Sequence, residues 1–249
     1  MKNKILKKII GLTGYKLIEK NLFKNNRTLS KNTLINLDNI LKFIFSNHNI
    51  NSLVQVGAND GQSFDGLNFY IKKYNPKSIL VEPIKESFLK LQESYKDQNN
   101  VKLENSAISV DNEISCLYKV NSKFEKMYGS HIPAIPSFNK EHLINHGVKS
   151  RHIVQEKINT ISVKNLLNKY EIDRLDLFFV DAEGYDGKII YDLLSTTNFR
   201  PFIIFEFIHI ENSIFEKLNK KLVDSNYLFF AVDENIFCLP NDKNFLIIK

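Results

Sequence analysis

The chain has 249 residues, of which 43% are hydrophobic, and it carries a net charge of +6 and two cysteines. This length fits one large domain, or one domain with an appendage, and the apolar share can form a sizeable core. Cys116 and Cys238 match no metal or redox spacing, which predicts a cytoplasmic protein with both thiols reduced and buried. The chain lacks an apolar run of about 18 residues, so no transmembrane helix is expected. The first residues also lack the pattern of a signal peptide.

The positive charge is concentrated at the N-terminus. Residues 1–50 hold ten Lys or Arg against two acids, a net of +8, whereas the remainder holds 24 basic and 26 acidic residues. A nucleic-acid enzyme more often carries basic charge around its cleft, so the near-neutral body disfavours that class. Residues 1–24 alternate lysines with apolar residues at helical spacing. Such a helix could contact anionic lipid at the inner membrane face or a partner enzyme, or pack on the body with its lysines solvated.

Helices and strands alternate along the rest of the chain. A helix predicted over 34–45 leads to a first strand over 53–56, and the next helix is expected near 63–73. Further strands are predicted at 78–82, 101–104, 114–120, 175–180, 202–207, 227–232 and 236–239, and further helices at 85–95, 163–170, 188–194 and 216–225. The strands are almost continuously apolar, which predicts a mostly parallel sheet buried on both faces. We therefore divide the chain into a basic helical N-terminal extension, 1–48, and an α/β domain, 49–249.

Residues 121–160 interrupt this alternation. Gly129 and Gly147, together with two prolines, break any regular pattern, and four of the six histidines fall here. We predict an irregular insert with one short helix. Because long irregular segments in compact domains are usually functional or mobile, the insert is a candidate lid over a site.

The loop after the first strand is the most informative segment. It reads Val56-Gly57-Ala58-Asn59-Asp60-Gly61, and glycine lets a backbone turn sharply and approach a ligand closely. The second strand ends in Glu82-Pro83, where a carboxylate is well placed to accept hydrogen bonds from both hydroxyls of a ribose. The loop lacks the Gly-x-Gly-x-x-Gly of nicotinamide sites, and the chain lacks a Walker-type phosphate loop. A cofactor with a ribose but no phosphate, S-adenosylmethionine, fits this pattern best.

Five strand ends carry residues suited to a site, namely Gly57, Glu82, Asn105, Asp181 and Glu206. In open α/β sheets, ligands bind beyond the carboxyl ends of the strands. The sequence therefore predicts that these residues meet at one crevice.

Three motifs, in this order, resemble the FkbM-type S-adenosylmethionine-dependent methyltransferases. They are the loop 56–61, Val81-Glu82-Pro83 and Asp181-Ala182-Glu183-Gly184, with weaker support from Asn105-Ser106-Ala107-Ile108 and Ile161-Ser162-Val163. The resemblance covers about residues 50–240. It implies a Rossmann-like, seven-stranded class I methyltransferase sheet with helices on both faces and the last strand antiparallel. It also implies O-methyl transfer to sugars or to hydroxyls of natural products.

The resemblance and the strand ends together give the cofactor-binding candidates. These are Gln55, Gly57, Ala58, Asn59, Asp60, Gly61, Glu82, Pro83, Asn105, Ser106, Ala107 and Asp181. Gln55 stands where the family often has an acid, so its amide can hydrogen-bond but cannot pair with the cofactor's ammonium group as a charge. Asp60 could compensate.

Methyl transfer to a hydroxyl needs alignment of the reacting atoms and removal of a proton. Asp181 is the first candidate, as a cofactor contact, base or metal ligand, and Glu183 and Glu206 follow. His209 and His131 are candidate bases because the unperturbed pKa of histidine lies near neutral. Asp181 and Glu206 are also the candidates to hold Mg²⁺ if a divalent metal binds, although the sequence does not predict one.

The leading hypothesis is an O-methyltransferase that modifies a sugar hydroxyl of a surface glycan or its nucleotide-linked precursor, with no nucleic-acid partner. One alternative is a nucleic-acid methyltransferase recruited by the basic N-terminus, although the fourth strand ends without the Asn/Asp-Pro-Pro-Tyr/Phe segment that base-amino methylation commonly requires. A non-catalytic module, suggested by Gln55, is a second alternative. A nicotinamide oxidoreductase is a distant one.

Overall fold

The computed structural model describes residues 36–63, 65–110, 116–129, 132 and 135–241. The amphipathic helix predicted at 1–24 and the candidate base His131 lie outside these residues. The division of the chain at residue 48 therefore stays a prediction.

Strands and helices alternate through the described residues. The strands are β1 (Ser52–Val56), β2 (Lys77–Val81), β3 (Val101–Glu104), β4 (Ala107–Ile108), β5 (Cys116–Val120), β6 (Ile153–Lys157), β7 (Thr160–Ile161), β8 (Leu177–Val180), β9 (Phe202–Glu206), β10 (Tyr227–Val232) and β11 (Asn235–Pro240). The α-helices are α1 (Leu37–Asn47), α2 (Asn68–Tyr74), α3 (Lys85–Ser94), α4 (Lys140–Asn145), α5 (Val163–Lys169), α6 (Asp186–Thr196) and α7 (Asn212–Asp224). Each helix within these ranges is too short or too polar to span a membrane.

Seven of the strands form one sheet in the order β10-β11-β9-β8-β1-β2-β3. Neighbours from β9 to β3 run parallel, whereas β11 pairs antiparallel with both β9 and β10. The chain thus leaves the centre at β1, crosses outward to β3, and returns through β8 on the other side of β1. This order and the antiparallel last strand confirm the predicted class I methyltransferase topology.

Helices cover both faces of the sheet because successive strand residues point to opposite sides. On one face, Leu53 of β1 packs in a core with Leu41 of α1 and Leu91 of α3. On the other face, Val54 packs in a second core with residues of α5, α6 and α7, such as Leu193. All five residues of β1 are buried, as the apolar runs predict for a central parallel strand.

The register of the sheet aligns the ends of its central strands. Val56 at the end of β1 pairs with Val81 of β2 and with Val180 of β8. Because these strands run parallel, the residues that follow them emerge at the same edge. Gly57, Glu82 and Asp181 therefore lie close together at this edge.

The largest differences from the sequence-based prediction lie in two regions. The helix expected near 63–73 begins only at Asn68, since the Asp65 carboxylate accepts a hydrogen bond from the amide of Leu67 at 2.9 Å and holds a loop before it. The insert contains the expected short helix, α4, and also an antiparallel β5–β6 pair whose second strand was not predicted. A small apolar cluster that includes Val120 and Leu143 packs beneath this pair.

Candidate active site

The loop after β1 turns sharply and packs against the neighbouring strand end. Gly57 has a φ of +81°, and a Cβ there would lie 1.9 Å from the carbonyl oxygen of Asp181. The amides of Gly57 and Ala58 both donate to the carbonyl oxygen of Val81, each at 3.0 Å. Only glycine allows this turn and this contact together. The loop is therefore fixed to β2 on one side and to β8 on the other.

The Glu82 carboxylate is held by this loop. Its Oε2 accepts a hydrogen bond from the amide of Asn59 at 2.9 Å, and its Oε1 accepts one from the amide of Ile84 at 2.8 Å. The side chain is only 5% exposed. Burial raises the pKa of Glu82 to about 7, although the two amides act in the opposite direction. The glycine loop and the end of β2 are thus joined by a direct hydrogen bond between the Asn59 amide and the Glu82 carboxylate.

The polar residues after β3 support the same turn. Asn105 donates from Nδ2 to the carbonyl oxygens of Glu82, at 2.9 Å, and of Pro83, at 3.1 Å. Ser106 and Ala107 are both buried, and Ala107 begins β4. In this structure, Asn105 therefore positions the Glu82–Pro83 backbone.

Gln55 and Asp60 occupy different surroundings. Gln55 is 2% exposed and donates from Nε2 to Asp65 at 3.0 Å, while its Oε1 is buried with no hydrogen-bond partner among the described residues. Asp60 instead accepts from the amides of Gln62 and Ser63 within its own loop. The carboxylate beside Gln55 is Asp65. Its role was not predicted because it lies ten positions further along the chain.

The loop after β8 carries the second group of candidates. Glu183 and Gly184 have φ values of +50° and +94°, and a Cβ on Gly184 would lie 2.8 Å from the carbonyl oxygen of His209. Asp186, which is fully buried, accepts hydrogen bonds from the amides of Ala182 and Gly184, each at 3.1 Å. Asp186 therefore fixes the Asp181–Gly184 loop, a role that sequence reasoning missed.

A cluster of carboxylates and imidazoles follows this loop, and we call it the His–Glu cluster: Glu183, Glu206, His142, His146 and His209. The Oε2 atom of Glu183 lies 3.0 Å from Nε2 of His142 and 4.0 Å from Nε2 of His209. Nε2 of His209 lies 3.7 Å from Oε2 of Glu206. The rings of His142 and His146 are 4.4 Å apart, and those of His142 and His209 are 4.6 Å apart. The cluster thus joins β9 and the β8 loop to the insert.

Burial and mutual repulsion shift the acidic groups here toward their neutral forms. Burial, with Glu234 nearby, raises the pKa of Asp181 to about 6. Burial and the charge of Asp181 raise the pKa of Glu183 to about 8. Burial and the surrounding carboxylates raise that of Glu206 to about 9.

His209 is shifted in the opposite direction to the carboxyl groups. Burial, together with the neighbouring His142 and His146, lowers the pKa of His209 to about 4. Burial also lowers the pKa of His142. Both imidazoles are therefore neutral at pH 7, and each keeps a nitrogen lone pair.

Two overlapping sets within the described residues could hold a metal ion. One is His142, His146 and His209, and the other is Glu183, Glu206 and His209; within each set the ligand atoms lie within 4.8 Å of one another. Glu206 and His209 were predicted site residues, whereas Asp181 belongs to neither set. His142 and His146 were not predicted, although their i, i+4 spacing would have signalled a shared helix face.

A separate cavity lies at the opposite edge of the sheet. It has a volume of about 390 Å³ and is lined by residues at or just before the starts of strands, among them Asn51, Lys77 and Asn100. It contains none of the groups described above. The candidate site residues lie at the carboxyl edge of the sheet instead.

Comparisons with known proteins agree with the topology. Residues 55–229 match the family described as the methyltransferase FkbM domain, and the chain belongs to this family. A search of curated protein sequences found no match.

Solved structures with a similar fold include an FkbM methyltransferase from Methylobacillus flagellatus, with 13% identity, a TM-score of 0.44, and coverage of 76% of this chain and 43% of that one. Fibrillarin from Aeropyrum pernix, solved with bound S-adenosyl-L-methionine, has 10% identity and a TM-score of 0.41. The match covers 76% of this chain and 66% of that one. The METTL16 methyltransferase domain has 9% identity and a TM-score of 0.46. The match covers 91% of this chain and 71% of that one. The chain thus spans less than half the length of the Methylobacillus protein. The family assignment rests on the sequence match and not on these likenesses.

The residues at the carboxyl edge fit the S-adenosylmethionine on which this family depends. The buried Oε1 of Gln55 can accept a hydrogen bond from the ammonium group of the cofactor. After its two amide bonds, the Glu82 carboxylate keeps two lone-pair positions for ribose hydroxyls. Each such charge-assisted bond contributes about 1.5–3 kcal/mol.

Proposed function

We propose that the protein is an O-methyltransferase that uses S-adenosylmethionine to methylate a sugar hydroxyl of a surface glycan or of its precursor. The observation that carries the proposal is the convergence, at one edge of the sheet, of a buried cofactor clamp at Glu82 with Asp181 and the His–Glu cluster. A hydroxyl acceptor needs nearby atoms that accept its proton and hold its oxygen, and these side chains supply both.

The cofactor supplies a methyl group already activated by its sulfonium, so the protein must align the acceptor and remove a proton. Asp181 is the group we assign to proton removal, since with a pKa of about 6 it is ionised at neutral pH. Glu183 and Glu206 are largely protonated at pH 7 and can donate hydrogen bonds to an acceptor's other oxygens. Neutral His209 can accept one. A positioned base contributes about 10²–10⁴-fold to the rate.

The chemistry of the acceptor side supports a sugar. Carboxyl and imidazole groups dominate it, and a sugar presents several hydroxyls that both donate and accept. Among the described residues, no Lys or Arg forms an ion pair with Glu183 or Glu206. The His–Glu cluster contains no Lys or Arg to meet a phosphate backbone, which disfavours a nucleic-acid acceptor.

The first test is methyl transfer from labelled S-adenosylmethionine to a panel of nucleotide sugars and to extracted surface glycan. We expect the labelled methyl group to be incorporated as a base-stable methyl ether, and NMR should show that it is bonded to oxygen. Asp181→Asn should lower turnover by roughly 10²–10⁴-fold with cofactor affinity retained, while Asp173→Asn, a change at an exposed acid, should behave as wild type.

A second test addresses the cofactor clamp. Glu82→Ala should weaken S-adenosylmethionine binding by roughly tenfold or more in isothermal titration, because two charge-assisted hydrogen bonds are lost. Unchanged affinity would contradict the assignment of Glu82. Labelled methyl groups found only in RNA or DNA, in a salt-sensitive reaction that deletion of residues 1–30 abolishes, would favour the nucleic-acid alternative instead.

A further inference from the structure

The His–Glu cluster contains three imidazoles and two carboxyl groups drawn from three separate parts of the chain. His142 and His146 come from α4 and its C-terminal end, Glu183 from the β8 loop, and Glu206 and His209 from the end of β9. Only Glu183, Glu206 and His209 are needed for the proposed function. The two histidines of the insert remain unexplained by it.

The ligand atoms are spaced as a coordination shell requires. A first-row metal ion with bonds of about 2.1 Å sets neighbouring ligand atoms roughly 3.0 Å apart when it is six-coordinate and roughly 3.4 Å apart when it is tetrahedral. The measured separations are 3.0 Å from Glu183 to His142, 3.7 Å from Glu206 to His209 and 4.0 Å from Glu183 to His209. A small contraction would bring these atoms around one ion.

The hydrogen bonds of the cluster leave these atoms available. Nε2 of His142 and Oε2 of Glu183 are buried and close, yet neither has a partner of hydrogen-bonding geometry among the described residues, and neither does Oε2 of Glu206. Nδ1 of His146 lies 2.8 Å from the carbonyl oxygen of His142. With Nδ1 donating to that carbonyl, the lone pair of His146 is on Nε2, which is how outer hydrogen bonds usually orient a metal-binding histidine.

We propose that His142, His146 and His209, together with Glu183 and Glu206, bind a divalent first-row transition-metal ion such as Zn²⁺. Imidazole favours Zn²⁺ and its neighbours in the first transition row, whereas Mg²⁺ and Ca²⁺ prefer sites made only of oxygen. Binding of the ion would displace the protons of Glu183 and Glu206, and the resulting carboxylates would compensate its charge. Partial exposure, 21% for the side chain of His209 and 18% for that of Glu206, leaves a path to solvent and room for a further ligand.

The ion would act on the acceptor. A bound hydroxyl oxygen loses its proton more readily, because a divalent cation stabilises the resulting negative charge. This role rests on the proposed function, but the binding of the ion does not. Metal binding and methyl transfer are therefore measured separately.

The experiment uses the full chain, stripped with a chelator and titrated with Zn²⁺, Co²⁺ or Mg²⁺ while metal content and the Co²⁺ absorption spectrum are recorded. We expect one Zn²⁺ per chain, a Co²⁺ spectrum with nitrogen ligation, and much weaker Mg²⁺ binding. His209→Ala and His146→Ala should each weaken Zn²⁺ binding by roughly 100-fold or more, since even loss of an outer-shell partner costs about 10- to 100-fold. His48→Ala, at the opposite edge, is the matched control and should bind as wild type.

Circular dichroism and S-adenosylmethionine binding show whether each variant is folded. If a histidine change unfolds the protein, Glu206→Gln, which keeps the side-chain volume, serves as the second variant. Absence of stoichiometric Zn²⁺ binding, or binding that survives both His146→Ala and Glu206→Gln, would overturn the site. Hydroxyl methylation that persists unchanged after complete removal of metal would overturn its role while the proposed function stands. Zn²⁺ binding without methylation of any hydroxyl would leave the metal site in place and contradict the proposed function instead.

Discussion

The two sides of the crevice satisfy their buried carboxyl groups in different ways. On the cofactor side, both oxygens of Glu82 accept backbone amides, from Asn59 and from Ile84. On the acceptor side, Oε2 of Glu206 has no hydrogen-bond partner in the described part of the chain. Folding thus satisfies both oxygens of Glu82, whereas it leaves Oε2 of Glu206 available to a ligand.

Gly57 joins the two sides, so its replacement should have the largest effect. Gly57→Ala places a Cβ 1.9 Å from the Asp181 carbonyl oxygen at a φ of +81°, and we expect a loss of at least about 3 kcal/mol in the free energy of unfolding. Gly147→Ala is the matched control, because its φ is +86° but no atom lies within 4 Å of the added carbon. It should cost only about 1–2 kcal/mol in the same urea titration. Equal losses would show that the contact with Asp181 does not matter.

Removing a carboxyl group from the acceptor side should affect turnover and spare stability. Glu206→Gln keeps the shape of the side chain and removes no hydrogen bond of Oε2, so the free energy of unfolding of the metal-free protein should stay within about 1 kcal/mol. Methyl transfer should fall by roughly tenfold, because the amide makes a weaker hydrogen bond to the acceptor than the carboxyl group does. Glu216→Gln on the exposed surface of α7 serves as the control. A large loss of stability in Glu206→Gln would mean that folding satisfies this carboxyl group too.

Asp186, at the start of α6, holds the loop on the acceptor side. Its carboxylate accepts main-chain amides, as that of Glu82 does. Asp186→Ala leaves the amides of Ala182 and Gly184 without their acceptor, which should cost about 2–4 kcal/mol, since each stranded group costs about 1–3 kcal/mol. Asp186→Asn retains one acceptor oxygen and should fall between Asp186→Ala and wild type in urea unfolding. If Asp186→Ala is as stable as wild type, the loop does not depend on this clamp.

The smallest expected effect is the pH dependence of cofactor binding. Burial raises the pKa of Glu82 to about 7 in the free protein, and the ribose hydroxyls bind the ionised form, so binding releases a proton. Affinity for S-adenosylmethionine should therefore rise with pH by up to about tenfold per unit below pH 7 and level off above it. The stability of the free protein should depend on pH in the opposite direction. The stability that the raised pKa of Glu82 contributes is fully present below the pKa of the unfolded chain and is lost as pH rises to about 7. Glu82→Gln should remove the slope of affinity with pH in isothermal titration, and a slope that survives would belong to another group.

Sequence reasoning found the side of the crevice that is built from local signals. The apolar run of β1, its glycine loop and the acid at residue 82 are contiguous patterns, and the structure places them together. The FkbM-type resemblance then gave the order and direction of the strands. These features depend on neighbouring residues and on regular topology, which a single sequence displays.

The remaining features depend on contacts between distant segments. Strand β6 is short and half-exposed, so it forms because β5 pairs with it and not because of its own pattern. Asp65 meets Gln55 across ten residues, and the histidines of the insert meet His209 across more than sixty, which no local pattern reveals. Only the four-residue spacing of His142 and His146 offered an early signal.

The hydrogen bonds to Glu82 come from main-chain amides, and this has an evolutionary consequence. Every amino acid except proline carries the amide that Ile84 donates, so the identity of that side chain can drift without cost to the clamp. The φ of +48° at Asn59 narrows the choice there to residues that tolerate a left-handed backbone, but it leaves the donor in place. A lineage could thus replace many of the side chains around Glu82 while the main-chain hydrogen bonds that hold its carboxylate are inherited intact.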